Sequence, residues 1–109
     1  MMGRRPMPGA SQEASTSYTF TAAGSETESA SLPQGMVGKP IYIKASGSVS
    51  GAVKLTFGNG AQKVCPVNPN APYNEVAVPP SAFPAPTNSV SLTLEADGAG
   101  VIRAVVGFQ

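Results

Sequence analysis

The chain has 109 residues, enough for one domain with a single modest core. Charged residues make up 12% of it and the formal net charge is +1, which excludes binding to nucleic acid through a broad basic field. It has no histidine and one cysteine, so the usual general base and the commonest metal ligand are missing and an internal disulfide is impossible.

Residues 1–14, MMGRRPMPGASQEA, have no apolar periodicity. They cannot bury enough surface to offset their own ordering entropy and are expected to gain order on a partner. Arg4 and Arg5 are the densest charge in the chain, Pro6 and Pro8 favour extended backbone, and Met7 is an adaptable apolar anchor. Fully extended, the arm spans about 45 Å at ~3.3 Å per residue. No apolar stretch follows the arginines, so a secretion or twin-arginine signal is not expected. No segment approaches the roughly 20 apolar residues that span a bilayer.

From residue 15 onward, alternation with a period of two predicts strands. Residues 15–21 place Tyr18 and Phe20 on one face. Residues 22–31 are polar, carry Glu26 and Glu28, and read as a loop or a ragged edge strand. Leu32, Pro33, Gln34 and Gly35 form a turn. Residues 39–45 set Ile41 and Ile43 inward against Tyr42 and Lys44. Residues 48–57 form the longest run, with Val53, Leu55 and Phe57 inward and a bulge or bend at Gly51. Gly58, Asn59 and Gly60 suit a tight hairpin that returns through residues 61–67 with Val64 inward. In that strand Cys65 is read as a small buried hydrophobe rather than a nucleophile.

A turn at residues 68–72 precedes a short strand, 74–78, with Val76 and Val78 on one face. Prolines 79, 80, 84 and 86 then make an extended loop that no central strand crosses. Residues 89–96 alternate cleanly, with Val90, Leu92 and Leu94 inward. After the turn at Asp97–Gly100, residues 101–108 place Ile102, Ala104, Val106 and Phe108 on one face. Seven or eight strands at this spacing predict an all-β antiparallel two-sheet sandwich, jelly-roll or immunoglobulin-like, over residues 15–109, preceded by the extended arm. Twelve glycines and eleven prolines punctuate these runs and read as turns rather than as disorder. Each large inward side chain contributes roughly 1.5–3 kcal/mol when fully buried.

Little in the sequence points to catalysis. Asp97 reads as a turn residue. Glu26 and Glu28, two apart, share one face of a strand and could hold a calcium ion, although two solvated acids need no ligand. Neither glycine-rich turn opens a helix, so neither is a phosphate loop. Tyr42 and Tyr73 are the candidate exposed rings for sugar stacking, and Lys44 shares the face of Tyr42. No enzyme activity, cofactor or metal is expected.

A compact, weakly charged β domain behind an arginine-bearing arm resembles, in layout over the whole chain, the head decoration (cement) proteins of tailed bacteriophages. The resemblance implies a mechanical role on the outer capsid surface, with copies bracing the major capsid protein lattice against genome pressure. It implies partners in the major capsid protein and in other copies of the chain, as dimer or trimer, with no direct contact to nucleic acid or membrane. The protein would be made in the host cytoplasm and end on the virion. The expected contact residues are Arg4, Arg5, Pro6, Met7 and Pro8 of the arm and Pro80, Phe83 and Pro84 of the proline-rich loop. Two rivals stand beside it: an adhesive or glycan-binding module of a fibre, spike or cell surface, and the coat protein of a small virus.

Overall fold

The computed structural model describes residues 12–109. It is all-β: β1 (Gln12–Phe20), β2 (Gly24–Ser31), β3 (Pro40–Gly47), β4 (Gly51–Thr56), β5 (Gln62–Val67), β6 (Asn74–Ala77), β7 (Ser89–Ala96) and β8 (Gly100–Phe108). A short 3-10 turn, Pro80–Ala82, interrupts the proline-rich loop. The eight strands form two antiparallel four-stranded sheets, ordered β1-β8-β3-β6 and β2-β7-β4-β5.

This order pairs β1 with β8, β2 with β7, β3 with β6 and β4 with β5. The chain is thus one long antiparallel ribbon folded back at the β4–β5 hairpin and then rolled up. Rolling adds the contacts β3–β8 and β4–β7 that complete each sheet. Eight strands wound this way make a jelly roll. The immunoglobulin arrangement, with sheets ABED and CFG, is excluded.

The core lies between the sheets and is wholly apolar. Ile43, Val53, Leu55, Cys65, Leu92, Leu94, Ile102 and Val106 are completely buried, Phe108 nearly so, and no polar or charged residue is buried among the described residues. The expected inward faces of β7 and β8 are all present. Four expected core residues, Tyr18, Ile41, Phe57 and Val76, are only half-buried. Ile41 sits where the β3–β8 register shifts between Pro40 and Tyr42.

Several local expectations are corrected. The sandwich begins at Gln12 rather than at residue 15: Ala14 is buried, and β1 pairs with β8 from Gln12 onward. Of the two readings of residues 22–31, the edge strand is the one that holds, over Gly24–Ser31. The run over residues 48–57 is not one strand; β3 continues to Gly47, the chain turns, and β4 starts at Gly51. Gly51 is not a bulge but a point of close approach, where a Cβ would collide with the Glu95 carbonyl. Val64 is 47% exposed, because pairing of Val53 with Cys65 across the hairpin turns Cys65 and Val67 inward instead.

Candidate functional site

The described residues contain no group of three or more acidic, cysteine or histidine side chains placed to share a metal ion. Among the described residues no helix is long and apolar enough to cross a membrane. Three surface features remain.

The first is the open mouth formed by β1 and β2, each the last strand of its own sheet. Ala30 of β2 is buried, and alternation then places Glu28 and Glu26 on the same core-facing side, beside the rim of the sandwich. Glu28 accepts a hydrogen bond of 3.4 Å from the Thr16 hydroxyl of β1. Tyr18 and Phe20 of β1 meet edge to face, with centroids 4.8 Å apart. A shallow open depression there is lined by Tyr18, Phe20, Thr21, Gly24 and Glu26. The two acids therefore share a face, as their spacing predicts.

The second lies on the outer face of the β1-β8-β3-β6 sheet. Glu13, Gly107 and Tyr42 are neighbours in one row across three strands. The Tyr42 ring covers Gly107, where an added Cβ would lie inside the ring, and its hydroxyl donates to Glu13. Lys44 Nζ stands 3.7 Å from the same carboxylate and 5.1 Å from the centroids of both Tyr42 and Tyr73. Partial burial, then the bond to Glu13 and the negative charges of Glu13 and Glu75, push the Tyr42 hydroxyl up to about 12. Tyr42 is thus committed to a strand-to-strand fastening, and Tyr73, with Lys44 over its ring, is the more exposed of the pair.

The third is the proline-rich loop. Pro80 and Pro84 are exposed. Phe83 is half-buried and turns inward, its ring 6.0 Å from Phe57. Ala82 is buried and its carbonyl accepts the Gly58 N–H. The loop is therefore pinned over the β4–β5 hairpin, so Phe83 anchors it to the core while the prolines form its outer surface. Arg4, Arg5, Pro6, Met7 and Pro8 lie outside the described residues.

One functional-looking side chain escaped sequence reasoning. Asn88 Nδ2 donates to the carbonyls of Leu32, Pro33 and Met36 at 3.1, 3.1 and 2.7 Å. It thereby shapes the β2–β3 turn that displays Met36 and Val37. An isolated asparagine before a strand carries no sequence signal for that task. Cys65 is enclosed, and burial pushes its thiol up, with the charge of Glu75 adding to the shift.

The chain matches no family model. No curated protein matches it, and no solved structure does.

Proposed function

We propose that this chain is a structural protein of a virus shell: a head decoration protein that seats on the outer lattice of a major capsid protein and braces it against the internal pressure of the genome. The observation that carries the reading is a jelly roll with a wholly apolar interior and two long, adjacent free strand edges directly behind an arginine-bearing segment. Jelly rolls recur in viral shells and in lectins. A lattice brace needs many modest contacts spread over several neighbours, and repetition around the shell multiplies them. Strand edges, the Ser- and Thr-rich outer faces of β2 and β7 and the proline-rich loop supply contacts of that kind.

Residues 1–11 and the loop surface at Pro80 and Pro84 are the contact elements of this reading. The adhesive, glycan-binding alternative retains Tyr73 as its exposed aromatic platform. Shells of the encoding virus, stripped of this protein and incubated with the purified chain, test the proposal. The expected result is saturable co-sedimentation at a fixed ratio to the lattice subunit and a rise in the temperature at which shells rupture. Absence of binding overturns it. Closed shells formed by the chain alone would mark it as a coat protein instead.

A further inference from the structure

Resting on that reading, the question is which neighbour receives residues 1–11. We propose that residues 4–9 of a second copy add to the free edge of β2 as a fifth strand, with Arg5 facing Glu26 and Glu28.

The edge itself is the first argument. β2 ends its sheet, so among the described residues no strand pairs with the N–H and C=O groups on one side of Gly24–Ser31. Such an edge is a template for another strand unless something guards it. Glu26 and Glu28 guard it selectively. The two ion pairs among the described residues use Glu13 and Glu95, so Glu26 and Glu28 have no cation partner among the described residues. Antiparallel pairing of β2 with its own copy would bring four carboxylates together, which like-charge repulsion disfavours. A cationic strand meets the opposite situation.

The second argument is where the cations are. Lys44, Lys54, Lys63 and Arg103 lie on β3, β4, β5 and β8, and Lys39 just precedes β3. The remaining two, Arg4 and Arg5, are adjacent in the segment that runs into β1. Eleven residues extended at ~3.3 Å each reach about 36 Å, enough to cross to an adjoining copy.

The third is the spacing of the prolines. In a strand, alternate residues present their N–H and C=O groups to opposite edges. Pro6 and Pro8 remove donors from one edge only, while Arg5, Met7 and Gly9 keep theirs on the other. Such a segment can bond along one side and cannot be extended on the other, so it closes a sheet. The same alternation places Arg5 and Met7 on a common face, a cation for the glutamates and an apolar chain for the rim at Tyr18.

The second copy is favoured over the chain's own arm by strand direction. The short link from Phe20 to Gly24, with the Thr16–Glu28 contact, sets β1 antiparallel to β2 across the mouth, so Gln12 lies near the Ser31 end. Folding back onto its own β2 would need a reversal within residues 9–11 and then a parallel pairing, whereas every strand pair in this domain is antiparallel. A neighbour's arm can approach antiparallel without reversal.

Sedimentation of the full-length chain without shells tests this separately from shell binding, so either result can fail while the other stands. Reversible self-association is expected. Arg5→Glu alone, and Glu26→Lys with Glu28→Lys, should each weaken it at least about tenfold, and the combined triple variant should recover it. Differently tagged copies of an Arg5→Cys/Glu28→Cys variant, mixed and oxidised, should join across chains. A chain that stays monomeric, association indifferent to these reversals, or a disulfide closed within one chain overturns the inference.

Discussion

Tyr42 and Gly107 are cross-strand neighbours on β3 and β8, and the ring of the first occupies the space the second leaves by lacking a side chain. Because β8 lies between β3 and β1, the ring bridges over it to reach Glu13. A glycine that would weaken a central strand instead seats an aromatic ring, and that ring secures the edge strand β1. Gly107→Ala should therefore do more than add a methyl group. It must lift the ring and break its bond to Glu13, at an expected cost of ~1–3 kcal/mol in urea unfolding.

The same hydroxyl gives a signature in alkali. Tyr42 holds its proton to about pH 12 in the folded protein against a reference value of 10.0. Between those values the folded state binds more protons than the unfolded chain, so stability falls as pH rises. The contribution is fully present below pH 10 and gone above about pH 12. Unfolding midpoints compared for wild type and Tyr42→Phe should show a difference in slope confined to that window, with Tyr42→Phe lacking the fall due to this group.

Asn88 holds three carbonyls of the β2–β3 turn with one amide group. Asn88→Ala should cost ~1–3 kcal/mol by leaving them without that donor. Asn88→Asp should cost more, since it turns a carboxylate toward carbonyl oxygens. Faster amide hydrogen exchange over residues 32–38, with β7 and β8 unchanged, is the expected local readout.

In the β4–β5 hairpin only Gly60 of the Gly58–Asn59–Gly60 loop takes positive φ, at 91°. Its N–H donates to the Phe57 carbonyl at 3.1 Å, and Phe57 N–H donates to Ala61 at 2.7 Å. This is a turn followed by a left-handed residue, the geometry of a three-residue hairpin loop. Gly60→Ala should lose ~1–2 kcal/mol from backbone strain alone, since a Cβ there meets nothing within 4 Å. Gly58→Ala, at ordinary φ, should lose less.

The Cys65 thiol is enclosed, and its acidity is suppressed chiefly by burial. Thiol reagents act on the thiolate. Labelling at neutral pH should therefore be slow in the native protein and rise sharply on addition of denaturant, tracking unfolding measured independently.

Much of the fold was legible along the chain, and the misreadings share a cause. The β7 and β8 faces were readable because Val90, Leu92, Leu94 and Ile102, Ala104, Val106, Phe108 alternate without interruption. In β5, Val64 and Cys65 are adjacent apolar residues, so alternation alone offered two answers. The hairpin loop decided between them by pairing Cys65 with inward Val53. Ser48–Ser50 looked like strand because nothing local ends it, yet that is where the chain leaves one sheet for the other.

For the surface, the pairing of Glu26 with Glu28 on one face was visible in their spacing. That this face looks into the mouth beside β1 was not, since β2 could be placed only once β7 claimed it. The sequence by itself determined an all-β sandwich, the absence of histidine chemistry and the position of the arginines, because period-two burial and composition are local properties. Tertiary structure alone decided the rolled strand order, which edges stay open, and the Tyr42–Gly107–Glu13 and Asn88 contacts. The hydrogen bonds among them join residues 29 and 52 to 56 positions apart, and no local preference encodes which distant backbone a side chain will meet.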